Sequence, residues 1–306
     1  MEHQIDNFAM IDMLSISRTN RLLSVPVLLM LLSTTVFSSS ASGHAGVDDE
    51  IQRVTRLIRQ DPSKPQLYLQ RGDLYRIHQD WNLALADFQK AKQLDATAAA
   101  VELGLGRIRL EQGSPQQALA HLDHALALQP GNVRALVTRA EAWRALDNPL
   151  AAAADYHRVI EHFPVPGKAL PEYYLECARA YAAAGDAYIG EALHSLDEGL
   201  QVLGNLQTLA LYAVELETMR GDFDAALSRL DSLLAHAKRK EFLLLERGDI
   251  LIAAQRNPEA RQDFLAAQAA ITALPPRYRQ TRSVQQLETT LTARLQIAER
   301  RDVDEQ

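Results

Sequence analysis

Residues 65–96, PQLYLQRGDLYRIHQDWNLALADFQKAKQLDA, return as the same skeleton when the chain is shifted by 34 positions, and return again after a second shift. Gly72, Tyr75, Ala84, Phe88 and Ala91 are followed by Gly106, Ala118, Leu122, Ala125 and Pro130, then by Ala140, Trp143, Ala152, Tyr156, Val159 and Pro164. A fixed period of this length means stacked supersecondary units, each too small to bury an apolar face alone. That constraint outranks every local signal in the chain.

Composition decides what the units are made of. Of 306 residues, 47% are hydrophobic and only 6% aromatic, and alanine runs such as Ala151–Ala154 recur, which favours helix over strand. The spacing resembles the tetratricopeptide repeat, a helix–turn–helix with an aromatic, Leu-Gly and Tyr, then Ala, Phe and Ala, and a closing Pro. The resemblance implies an all-α chain, a right-handed superhelical solenoid of about six and a half such repeats with terminal capping helices. A net charge of −7 argues against nucleic acid as a partner, since phosphate binding needs a clustered positive surface.

Residues 1–45 belong to a different regime. Arg18 and Arg21 precede the apolar run Leu22–Phe37, and the small residues SSSASGHA follow. A positive flank, a short apolar core and a small-residue exit make an export signal with a cut near Ala45. The run has 16 residues broken by Ser24, Pro26 and Ser33, short of the roughly 20 that a membrane span needs. The expected address is the periplasm of a Gram-negative bacterium, with an uncleaved inner-membrane anchor as the alternative and membrane contact only through this segment. The single cysteine, Cys177, allows no internal disulfide and reads as a small core residue.

Residues 46–64 resemble the second helix of a repeat that lacks its first, with Ile51, Val54 and Ile58 at helical spacing and Asp61-Pro62 closing it. Six repeats are expected at 65–98, 99–132, 133–170, 171–206, 207–240 and 241–274. Four residues are added in PVPGKALP (164–171) and two more in GDAYIG (185–190). The fifth repeat reads in two registers one residue apart, which a longer first helix reconciles. Residues 275–306 are expected to form a capping helix and tail, with Val284, Leu287, Leu291 and Leu295 on the stripe that meets repeat six.

Position 8 is small in five of the six repeats (Gly72, Gly106, Ala140, Ala178, Gly248), and position 20 is always alanine (Ala84, Ala118, Ala152, Ala192, Ala226, Ala260). Such residues let two helix backbones approach to about 8–10 Å where they cross. Position 11 departs from the pattern at Arg109 and Glu217, which predicts rotated or loosely packed helices there.

Catalytic motifs are missing: there is no phosphate-cradling glycine loop, metal-binding cysteine pair, HExxH or nucleophile elbow. His121 and His124, three residues apart on one helix face, are the best metal candidates, but the phase turns them to solvent with no carboxylate clearly converging. No enzyme, metal or cofactor is expected. The resemblance places the inner wall on the first helix of each repeat, with positions 2, 5, 9 and 12 facing a groove. Position 5 gives Leu69, Leu103, Val137, Leu175 and Leu245, an aliphatic rail. Position 9 gives Asp73, Arg107, Glu141, Arg179 and Asp249, a row of alternating charge. The implied partner is a protein or peptide segment held along the rail, in an adaptor or scaffold of the cell envelope. The carboxylate clamp of related chaperone co-factors uses Lys, Asn and Arg at positions 2, 5, 6 and 9. Gln66, Leu69, Gln70 and Asp73 stand there instead, so that clamp is missing. A self-associating component of an envelope secretion or polysaccharide-export assembly is the other expectation.

Overall fold

The computed structural model describes residues 41–162, 169–204 and 206–304, and side chains from 46 to 297 within them. The apolar segment 22–37 and most of the insertion at 164–171 lie outside the described residues. Helix α1 (Ala41–Gln60) is followed by six helix pairs: α2–α3 (Pro65–Ile77, Trp81–Gln93), α4–α5 (Ala98–Glu111, Pro115–Leu128), α6–α7 (Val133–Ala145, Pro149–His162), α8–α9 (Pro171–Ala183, Ile189–Leu203), α10–α11 (Gln207–Arg220, Phe223–His236) and α12–α13 (Glu241–Ala253, Asn257–Ala273). A short α14 (Pro276–Arg279) leads into α15 (Arg282–Asp304). Helix α1 runs through the expected cut near Ala45. Helix α10 has 14 residues, as α4 does, where α2, α6, α8 and α12 have 13. Residues 43–306 form one compact unit, and every buried core cluster of the described residues draws only on it.

The turn inside each pair is fixed at one residue. Position 15 holds a left-handed backbone in all six: Gln79 (φ 65°), Gly113 (72°), Asp147 (55°), Gly185 (112°), Gly221 (79°) and Gln255 (61°). In five of them the next N–H closes a six-residue loop back onto position 11. Asp80 N to Tyr75 O is 2.8 Å, and Ser114 to Arg109, Asn148 to Trp143, Asp222 to Glu217 and Arg256 to Leu251 match it at 2.8–2.9 Å. This is the Schellman closure, which ends a helix and satisfies its orphan carbonyls. The fourth pair, with two extra residues, substitutes a 3-10 turn at Asp186–Tyr188.

The helices of a pair cross where position 8 meets position 24. An added Cβ at Gly72 falls 3.0 Å from Phe88 Cε1, at Gly106 2.8 Å from Leu122 Cγ, and at Gly248 2.3 Å from Phe264 Cε1. The large side chain of position 24 lies directly on the glycine, Ala118 O also stands 3.4 Å from the Cβ added at Gly106, and the alanines of position 20 are fully buried beside it.

A second intra-pair contact escaped the sequence reading. Arg71, Arg139 and Arg247, at position 7, each grip an aspartate 16 residues on with two hydrogen bonds: Arg71 Nε and Nη2 to Asp87, both 2.7 Å; Arg139 to Asp155, 2.8 and 2.6 Å; Arg247 to Asp263, 2.7 and 2.6 Å. The third nitrogen reaches back 16 residues into the preceding unit: Arg71 Nη1 to Thr55 Oγ1 is 3.1 Å, Arg139 Nη1 to Asp123 Oδ1 is 2.7 Å, and Arg247 bonds Asp231. The planar fork of arginine suits this bidentate duty. Where position 7 is not arginine, other groups satisfy position 23. Glu102 takes His121 in the second pair, Ser195 bonds Tyr174 O at 3.3 Å in the fourth, and Arg229 takes Glu217 at 2.7 Å in the fifth. Glu217 is therefore buried and paired rather than loosely packed, although its Oε2 has no partner.

The ends are closed by helices that continue the stack. Val54 and Ile58 of α1 pack with Tyr68, and Val284 and Leu291 of α15 are buried in the cluster of α11, α12 and α13 with Leu287 and Leu295 alongside.

Candidate partner-binding groove

Position 9 lies about 200° around the helix from the position-7 arginine, on the opposite side, since each residue advances about 100°. The first helices of successive pairs therefore present one wall, with the arginine clamps on the other side. Contacts of α2 with α4, α4 with α6 and α8 with α10 set these helices side by side.

The five aliphatic residues of position 5 do not stand free on that wall. Leu103 and Leu245 are buried, at 8% and 7% exposure, and Leu69, Val137 and Leu175 are half-buried. Position 5 points into the crevice between neighbouring first helices. Val137 joins two core clusters there, and Leu69 packs against the cluster of Phe88, Val101 and Ile108. The expected open rail is thus an inter-repeat seam with only its edges in reach.

The charges form the surface. Asp73 accepts from Arg107 Nη1 at 2.9 Å and from Arg76 Nε at 3.1 Å, and Arg76 also bonds Glu111. Burial holds the Arg107 guanidinium below its ordinary value despite Asp73, though a guanidinium stays charged. Glu141 is exposed and has no ion pair within 4 Å among the described residues. Although the residue is exposed overall, neighbouring side chains crowd its carboxyl, and this desolvation pushes its pKa up against the pull of Arg144 and Arg107. Glu176 accepts from Arg144 at 2.8 Å and from Arg179 at 2.7 Å, and Arg179 lies 5.9 Å from the centroid of the Tyr212 ring. Asp249 is taken by Arg294 of α15 at 2.6 Å, so the last helix closes the charge row. Beside it Glu246 is half-buried, and desolvation, then repulsion from Asp249 and Glu215, raises its pKa.

Of the residues expected to alternate, only Asp73 and Arg107 touch directly across a junction. The sequence reading missed Arg76, Arg144, Glu176, Tyr212, Glu246 and Arg294. Arg76 and Arg144 stand at position 12, already on the expected stripe, and Glu176, Tyr212 and Glu246 at position 6, one row beyond it. Arg294 carries no periodic signal.

The histidines also differ from expectation. Glu102, buried on α4, does converge on them, with His121 Nδ1 at 2.7 Å from Oε2 and His124 Nδ1 at 3.5 Å from Oε1. Among the described residues no group of three or more His, Cys, Asp or Glu is arranged to hold a metal ion. Burial pushes the Cys177 thiol up to about 11, which keeps it protonated and unreactive. A cleft at α11–α13 is lined by Asp224, Asp231, Arg247, Arg256, Glu259 and Asp263, whose charges are spent on one another.

Residues 103–169 match the tetratricopeptide repeat family model. No curated protein matches the chain. Among solved structures, the C-terminal part of a TPR repeat-containing protein from Cytophaga hutchinsonii covers 80% of this chain and 95% of its own, at 14% identity and a TM-score of 0.57. A tetratricopeptide repeat protein from Parabacteroides merdae covers 84% and 94%, at 16% identity and TM-score 0.44. Pseudomonas aeruginosa pilF covers 75% and 98%, at 16% identity and TM-score 0.46. The first of these shares the fold. Repeats of this kind generally mediate protein–protein interaction and are typically non-enzymatic scaffolds. The family match identifies residues 103–169 as tetratricopeptide repeats, and the helix pairs on either side continue the same 34-residue pattern.

Proposed function

We propose that this protein is a non-enzymatic adaptor of the bacterial cell envelope that grips a peptide segment of a partner along the wall formed by α2, α4, α6, α8, α10 and α12. The observation that carries this reading is the charge row, in which Glu141 has no ion pair among the described residues and Arg179, although bonded to Glu176, keeps 54% of its side chain exposed. The half-buried edges of Leu69, Val137 and Leu175 offer apolar anchor points beside them, the arrangement by which grooves take peptides. The envelope address rests on Arg18, Arg21, the apolar run 22–37 and the small residues after it.

The test is a crosslinking pull-down from the envelope fraction of the native host with wild-type bait and a Glu141→Lys/Arg179→Glu bait. These exposed positions leave the core untouched, as Leu103→Asp would not. Loss of the captured partner from a variant that melts like wild type is the expected result. Equal capture by both baits removes the groove from the function. Recovery of the protein only from the cytoplasmic fraction removes the address.

A further inference from the structure

Two basic segments 40 residues apart meet at one edge of the chain. The turn between α11 and α12 carries Lys238, Arg239 and Lys240, and α14 with the start of α15 carries Arg277, Arg279 and Arg282. Tyr278 joins them: Arg239 lies 5.8 Å and Arg277 4.8 Å from its ring centroid. Ala237 and Leu274 pack against the same core cluster beneath, which fixes the two turns together. All six cations are exposed, and Tyr278 is 40% exposed. Only Arg239 has a carboxylate, Glu241, at 2.5 Å; the other five face none within 4 Å among the described residues. Neither 232–240 nor 272–287 contains an aspartate or glutamate. In a chain of net charge −7 this is a segregated positive face.

We infer that this edge docks on the anionic phospholipid headgroups of a membrane surface. The patch is made of turn residues rather than a cleft, so it reads charge density and not the shape of an extended peptide. Lysine and arginine near an anionic leaflet add their attractions, and a half-exposed tyrosine over apolar packing suits the water–lipid boundary. The net negative charge of the rest of the molecule opposes nucleic acid. The choice of lipid over an acidic protein rests on the envelope address proposed above; the patch itself does not.

Residues 43–306, whose core is self-contained, are sedimented with vesicles of phosphatidylcholine alone or mixed with phosphatidylglycerol. Wild type is expected to pellet with the mixed vesicles only, and to be released by salt. Lys238→Gln/Lys240→Gln/Arg279→Gln, three side chains with no ion-pair or ring partner, is expected to weaken partitioning on the order of 100-fold with an unchanged melt. Equal binding to both vesicles, or a triple variant that partitions like wild type, overturns the proposal. Retention on immobilised polyglutamate without vesicle binding also overturns it, and reassigns the edge to an acidic protein. Failure here leaves the groove reading standing, because Glu141 and Arg179 lie on other helices.

Discussion

The Arg139–Asp155 clamp gives a sharp test of what ties a helix pair together. Asp155 keeps only 3% of its side chain exposed and Arg139 17%, with Nε and Nη2 both on the carboxylate. Arg139→Met removes both bonds and leaves a buried carboxylate whose nearest remaining cation is Arg158 at 3.8 Å. An uncompensated buried charge of this kind costs about 3–5 kcal/mol. Asp155→Asn is milder, because Arg139 retains Asp123 at 2.7 Å and the amide oxygen still accepts; about 1–2 kcal/mol is expected. Replacing both, as Arg139→Met/Asp155→Leu, trades the pair for apolar packing and should recover to within about 2 kcal/mol of wild type. The assay is urea unfolding of residues 43–306 with midpoint and slope compared across the cycle, since stacked repeats can lose two-state behaviour. A cost below about 1 kcal/mol for Arg139→Met would equate the clamp with an ordinary surface ion pair and refute the reasoning.

Three further outcomes follow from the geometry. Gly248→Ala drives a Cβ to 2.3 Å from Phe264, which is fully buried, and should lower stability by about 1–3 kcal/mol in a thermal melt, with Phe264→Leu in the same chain restoring part of it. Gln255→Gly relieves a side chain held at φ 61° and should stabilise by about 1 kcal/mol, whereas Gly113→Gln should cost a similar amount. Glu246→Gln should raise the melting temperature at pH 7. The folded carboxyl has a raised pKa, so its ionisation penalises the fold above the ordinary carboxylate range and not below it. The gain should vanish as the pH falls to about 4, and a gain that persists there would place its origin elsewhere.

The helix pairs were legible because the period is carried by residues whose size is mechanically constrained: a Cβ at Gly72, Gly106 or Gly248 would strike an aromatic or leucine side chain. The turns were only half legible. Gly113, Gly185 and Gly221 advertise a left-handed backbone, but Gln79, Asp147 and Gln255 adopt it under the same loop closure without any marker. Polar positions were least legible, because a spacing of 16 corresponds to no helical or strand periodicity; Arg71 and Asp87 meet only once two helices are folded together. On the groove, the stripe was placed by pattern, yet burial of Leu103 and Leu245 depends on how closely neighbouring units approach. The interval between α10 and α12 does not encode that distance.

The clamps have a consequence for how the stack can bend. Among the described residues, ion pairs tie several junctions along one edge. The first and second pairs are tied on the groove wall by Asp73–Arg107, and the third and fourth by Arg144–Glu176. The second and third are tied on the far side by Arg139–Asp123, and the fifth and sixth by Arg247–Asp231 and Arg256–Asp224. A joint pinned along one edge is a hinge about that edge. Junctions riveted at the back let the groove gape, and those riveted at the front keep its floor at constant width. A ligand laid across such a wall would meet a calliper with some jaws fixed and others sprung, tightening on the segments near Val137 and Tyr212 while the span from Asp73 to Arg107 sets the gauge.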